Sequence, residues 1–238
     1  MRGSGVPDQG GERPMMPFGT DSNLDLAQML FDLGGVQFGS FDLPGTAGKS
    51  PVYINPRVLI SEPRVLRRIG RLINAAIASD RARVRPHLAS FAAVAGVPMG
   101  GLHIATAYAL ESDTPLVFLH RQDDDDGVGR VEGSITPGQT VLVMDDLMTG
   151  GRSILAAARR IEAAGMRVRD AIVLIDREQG GVERLKERGY NVRPILGLNT
   201  MLTFYHSNQL IDDATFERCV AYLADFRKHR DTDTLGSN

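Results

Sequence analysis

The segment VLVMDDLMTGGRSI, residues 141–154, holds the side chains whose types and spacing best suit chemistry. Four apolar residues end in Asp145 and Asp146, and a Thr-Gly-Gly turn leads into a helix opening at Ser153. The apolar run reads as a parallel strand buried on both faces. Open α/β sheets place ligands at the carboxyl ends of such strands. Two adjacent carboxylates there can accept sugar hydroxyls or help orient a hydrated magnesium ion. Thr149, Gly150, Gly151 and Ser153 add hydroxyls and backbone N–H groups at a helix N-terminus, which suits a phosphate. Acids beside an anion cradle describe a site for a phosphorylated sugar. The plainer alternative is a strand end whose acids only cap a turn. The segment has neither the Gly-Lys-Ser/Thr of a P-loop nor the GxGxxG of a dinucleotide fold.

Strands and helices alternate around this segment. Ser22 caps a helix running through Leu24, Leu26, Met29 and Leu30 to Gly34-Gly35. Short strands around 36–43 and 51–60 flank the turn-rich PGTAGKS. Ser61, Glu62 and Pro63 open a helix whose stripe of Val65, Ile69, Leu72, Ile73 and Ala76 holds to about Ser79. Strands follow at 91–95, 115–119, 140–145, 171–175 and 192–196. Helices at 104–110, 153–164 and 182–188 lie between them, the last two ending near Gly165 and Gly189. Residues 213–229 form a closing amphipathic helix with Phe216, Val220, Leu223 and Phe226 inward. The alternation predicts an α/β fold, a mostly parallel sheet with helices on both faces.

Bulk properties narrow the function classes. A formal charge of −2 argues against nonspecific nucleic-acid binding, which needs a basic face. No apolar run approaches the length of a membrane span. The lone Cys219 cannot form an intramolecular disulfide, in keeping with a reducing, cytoplasmic setting. Residues 1–21, rich in Gly and Pro and without an apolar core, read as a disordered leader and not a secretory signal. Residues 231–238 read as a flexible tail, leaving 22–230 as one domain.

The 141–154 segment resembles the phosphoribosyl-pyrophosphate (PRPP) motif of the type I phosphoribosyltransferases. Its lead-in VEGSITPGQT (131–140) and the following AIVLIDREQGG (171–181) resemble the orotate phosphoribosyltransferases in particular. Upstream, FDLGGVQFGSFDL (31–43), KSPVYIN (49–55), RVLIS (57–61) and AGVPMGGLHIAT (95–106) match that family in the same order. The likeness covers about residues 24–210. It implies a type I phosphoribosyltransferase fold with a small N-terminal hood, about 22–60, over a core of about 61–230. It implies transfer of phosphoribose from PRPP to orotate, with magnesium carried by the substrate phosphates and Asp145 and Asp146 as its candidate protein ligands. The acid pair would hold the ribose, and Thr149, Gly150, Gly151, Arg152 and Ser153 the 5′-phosphate. Gly100 and Gly101 would lie in the loop that receives pyrophosphate. Arg177, Tyr53 and Lys49 would serve the base, and a homodimer is implied too. A core tyrosine is the plainer role for Tyr53, and a surface arginine for Arg152.

The chain departs from the family at the mobile catalytic loop, approximately RKExKDHG there and HRQDDDDG here, residues 120–127. His120 replaces an arginine, Arg121 the first lysine, Asp124 the catalytic lysine and Asp126 the histidine. Pro44 replaces the lysine of a family LKSG segment, with Lys49 nearby. Pyrophosphate departure builds up negative charge, which cations at that place stabilise. Two like charges about 4 Å apart repel by on the order of 4 kcal/mol at a surface-like dielectric. Arg121, Arg130 and magnesium can supply enough charge for slow transfer. Alternatively, the chain is a paralogue that binds PRPP or a nucleotide as a sensor or regulator, or an enzyme for another base.

Overall fold

In strand β6 (Thr140–Met148), successive side chains go to opposite sides of the sheet and both sides are apolar. Leu142 and Met144 enter one core, while Val141 and Val143 enter the other. Strand β7 (Arg167–Asp176) does the same with Ile172 and Leu174 against Ala171 and Val173. Two covered faces explain the uninterrupted apolar runs. A computed structural model describes residues 22–43, 48–120, 131–133 and 136–235, with side chains through Asp225. The leader 1–21 lies outside the described residues.

The sheet is completed by β3 (Ala93–Gly96), β4 (Leu116–Leu119), β5 (Val131–Glu132) and β8 (Asn191–Gly197), in the order β5-β4-β3-β6-β7-β8. All neighbours are parallel except the short edge strand β5. One core packs helices α1 (Asn23–Asp32), α2 (Pro63–Arg81), α3 (Gly100–Ser112) and α6 (Leu198–Ser207) on one face. The other face carries α4 (Arg152–Ala163) and α5 (Gly181–Lys186). This is the α/β fold expected. Strands β1 (Val36–Asp42) and β2 (Lys49–Ile54) form a separate antiparallel pair. Helix α7 (Asp213–Leu235) closes the chain.

Several expectations need correction. The second N-terminal strand ends at Ile54, because Pro56 opens a 3₁₀ helix, Pro56–Ser61. Ser61 does not cap α2; its hydroxyl donates to the Val58 carbonyl, and Glu62 stands at the N-cap position without a side-chain bond. β6 runs three residues beyond Asp145, because β7 keeps pairing with it as far as Met148. On α7 Val220 is exposed, and Cys219 and Leu223 are the buried positions among the described side chains, outside which Phe226 lies. That helix also continues to Leu235, into the segment expected to be a tail. Helix α6 was not anticipated, although Leu198, Met201, Leu202 and Tyr205 repeat at helical spacing and are all fully buried. Ser22 caps α1 as expected, and Asp25 completes a capping box with it.

Candidate active site

The chain leaves β3 toward β4 on one side and leaves β6 toward β7 on the other. That divergence opens a crevice beyond the carboxyl ends of β3 and β6, the place where doubly wound sheets bind ligands. β3 stops at Gly96, paired with Met144. Asp145 and Asp146 therefore follow at once on a strand edge with no β3 neighbour. Both are more than nine-tenths buried. The Asp146 N–H donates to Asp145 Oδ1 at 2.9 Å. Burial, and then the neighbouring Asp146 carboxylate, push the Asp145 carboxyl well above its ordinary range, with Arg57 pulling the other way.

A cavity of about 350 Å³ lies here, and Asp145, Asp146, Thr149, Ser153, Gly100, Tyr53 and Arg177 line it. Its volume falls in the range of small-molecule sites. Asp145 and Asp146 come from β6, Thr149 from the turn entering α4, and Ser153 from the first turn of that helix. Gly151 makes that turn at φ +77°, and a Cβ there would lie 2.7 Å from Leu185. Gly150 packs against Arg184. These two glycines therefore shape the turn against α5.

Gly100 and Gly101 open α3. A Cβ on Gly100 would meet Asp146 Oδ2 at 2.1 Å, and one on Gly101 the Met144 carbonyl at 2.3 Å. Their missing side chains let the acid strand approach this helix. Arg177, at the end of β7, is 3% exposed. Its Nη2 donates to Ser50 Oγ at 3.0 Å and to the Val52 carbonyl at 3.3 Å, both on β2. Its Nε is buried without a hydrogen-bond partner, and burial lowers the pKa of the guanidinium. Tyr53 lies half-buried against Phe41, ring centroids 5.6 Å apart.

Five of the expected residues do not line the cavity: Gly101, Gly150 and Gly151 are packing positions beside it, and two more lie apart. Lys49 is exposed across from Asp42 at the end of the hairpin and does not line the cavity. Arg152 is exposed on the first turn of α4 and does not line it either. Arg121 and Asp124 lie outside the described residues. The sequence reading missed Arg57, whose Nε stands 3.7 Å from Asp146 Oδ2, and Asn55, which accepts from the Arg57 N–H. Both line the cavity. The signal was INPR directly after a strand, a proline-forced turn carrying a cation.

A parallel α/β sheet with an acid pair and a phosphate-suited turn at its switch point defines a class, proteins that seat a small anionic ligand over strand ends. The phosphoribosyl transferase domain family model matches residues 60–191. Orotate phosphoribosyltransferase of Pyrococcus furiosus is 35% identical over 174 residues, 72% of this chain and 91% of that protein. Uridine 5′-monophosphate synthase of Bos taurus is 31% identical over 82% of this chain, which spans only 39% of that longer protein. Among solved structures, orotate phosphoribosyltransferase from Aeropyrum pernix matches with a TM-score of 0.65 at 31% identity, over 75% of this chain and 96% of that one. The chain belongs to the phosphoribosyltransferase family, among the orotate phosphoribosyltransferases.

Proposed function

We propose that this chain transfers phosphoribose from PRPP to orotate, giving orotidine 5′-monophosphate and pyrophosphate in pyrimidine nucleotide biosynthesis. The supporting observation is the convergence of the acid pair, the phosphate turn and Arg177 on one cavity. The bond from ribose C1′ to pyrophosphate breaks and its electron pair leaves with pyrophosphate, while a base nitrogen forms the new bond to C1′ and gives up its proton to solvent. Positive charge develops on the ribose as this happens. Asp145 and Asp146 accept the ribose hydroxyls and stabilise that charge, and their burial in one another's company makes a nearby cation more favourable still.

The Thr149 and Ser153 hydroxyls, with backbone N–H groups of the α4 N-terminus, hold the 5′-phosphate. Arg177 pairs with the planar base and its carboxylate; the unpartnered Nε is a donor a ligand acceptor would satisfy. Tyr53 offers a ring edge to the base. Arg57 is the added cation on the wall.

Magnesium fits the donor set. Asp145 and Asp146 supply oxygen ligands, and among the described residues no group of three or more His, Cys, Asp or Glu could hold a metal. The pair would hold the ion while substrate oxygens complete its shell, and it would supply charge neutralisation to the departing pyrophosphate. We place the protein in the cytoplasm as a homodimer. No described helix is long and apolar enough to cross a membrane.

The acidic run Asp123–Asp126 favours a second reading, a PRPP-binding sensor with little turnover. The purified chain mixed with PRPP, magnesium and orotate separates the two. Loss of orotate absorbance, stopped by a chelator, supports the transferase. PRPP binding by calorimetry without turnover supports the sensor, and turnover with another base moves the substrate. Asp124→Lys should raise kcat if loop charge limits the rate.

A further inference from the structure

At the opposite edge of the sheet a second cavity of about 480 Å³ lies among Arg83 and His87 after α2, Val182 and Lys186 on α5, and Asn191 and Arg193 at the start of β8. It is distant from the acid pair along the strands, since Asn191 begins β8 while Asp145 and Asp146 lie near the end of β6.

Behind this wall lies Asp80, a carboxylate with no solvent exposure that bonds residues of the lining. Asp80 Oδ2 accepts the backbone N–H groups of His87 and Leu88, at 3.0 and 2.9 Å. Oδ1 faces Arg193 Nη1 at 2.8 Å, His87 Nδ1 at 3.2 Å and Arg83 Nε at 3.8 Å. Burial alone raises the Asp80 carboxyl, but these hydrogen bonds and the Arg193 charge outweigh it and hold it below the usual range. One buried acid thus gathers two guanidinium groups and an imidazole, and bonds Arg193 and the His87 ring directly. Their outer atoms remain in solvent: the His87 ring is 71% exposed and Arg83 51%. Lys186 adds a further permanent charge and has no ion-pair partner among the described residues. No carboxylate lines the cavity.

A solvated basic face ordinarily has charges spread and mobile. Here Arg193 is anchored on Asp80, and Arg83 and Lys186 stand with it around a concave space; the Asn191 amide donates one N–H to Asp170 Oδ1 at 3.2 Å and has a second to offer. We propose that this cavity binds a small phosphate-bearing anion, with the Arg83, Arg193 and Lys186 cations and His87 Nε2 as the groups that meet it. Guanidinium groups suit phosphate oxygens, and a charge-assisted bond is stronger than a neutral one. The volume admits a phosphate monoester and not merely an ion.

The test uses the full chain labelled at its histidine rings, titrated with inorganic phosphate at constant ionic strength. Five histidines make the spectrum tractable, and His87→Asn assigns the reporting resonance. The His87 ring signal should move saturably, and the double variant Arg83→Ala/Lys186→Ala should weaken binding about tenfold or more. Both substitutions leave the Asp80–Arg193 pair in place, and thermal melting checks that the variant stays folded. An unmoved His87 signal overturns the proposal. So does a shift that chloride reproduces, or an affinity the double variant leaves unchanged.

Discussion

Arg57 carries the clearest residue-scale consequence. Its side chain is 68% exposed and pairs with Asp146 only through Nε at 3.7 Å. An exposed ion pair of that length contributes about 0–1 kcal/mol to stability. What it does do is place a charge beside the acid pair. Arg57→Ala should leave the melting temperature nearly unchanged and lower kcat/KM about tenfold or more in steady-state assays with PRPP varied. Asp176 makes a second test. Burial is the main cause of its carboxyl rising from 3.8 to about 6, and the Glu178 and Glu183 charges add to it. The folded state therefore holds the proton more tightly than the unfolded one. The stability contribution is fully present below about pH 4 and is lost as pH rises toward 6 and above. Asp176→Asn keeps an acceptor for the Glu178 N–H but not the charge. Denaturant melts at pH 4.5 and 7.5, on the order of these pKa limits, should show the variant gaining on the wild type at the higher pH by up to about 3 kcal/mol.

At the scale of elements, α5 is the support under the turn that enters α4. A Cβ on Gly181 would sit 2.5 Å from the Thr149 carbonyl and 3.0 Å from the Met148 side chain. Backbone cannot yield as a flexible side-chain tip can, so Gly181→Ala displaces the turn or the helix. The expected cost is about 1–3 kcal/mol in denaturant melts, with a raised KM for PRPP and a smaller change in kcat. An unchanged KM would mean the turn is indifferent to α5. The α6 helix shows a complementary point about legibility. Its apolar spacing was present in the sequence, but it starts directly after β8 with Gly197 and no polar cap, so no start signal announced it. Similarly, β3 begins at Ala93, not Phe91, because the partly buried Phe91 packs beside Tyr108 and Arg81 before the ladder begins.

At the scale of the whole molecule, apolar side chains remain in solvent along α3 and β4. Leu110 is 80% exposed, and Met99 and Phe118 are exposed as well. The dimer we propose gives such groups a place to be covered. Sedimentation should return a species of about twice the 25.9 kDa chain mass. Leu110→Glu, which touches no core, should raise the dissociation constant. A wild-type monomer at assay concentrations would remove the dimer from the account.

The sequence by itself determined the alternation of strands and helices, the apolar stripes, and the turn after the double acid. These are local properties, because a strand buried on both faces or a helix buried on one must repeat its apolar residues at a short period. The positive φ glycines at 165 and 189, ending helices, were legible for the same reason. Only the tertiary structure decided which distant side chains meet. Arg57 reaches Asp146 across 89 positions of chain, Arg177 reaches Ser50 across 127, and Arg193 reaches Asp80 across 113. Lys49, by contrast, stays in solvent although it lies one residue from Ser50. Such meetings depend on the order of strands in the sheet and on where each one stops, and no short-range repeat encodes either.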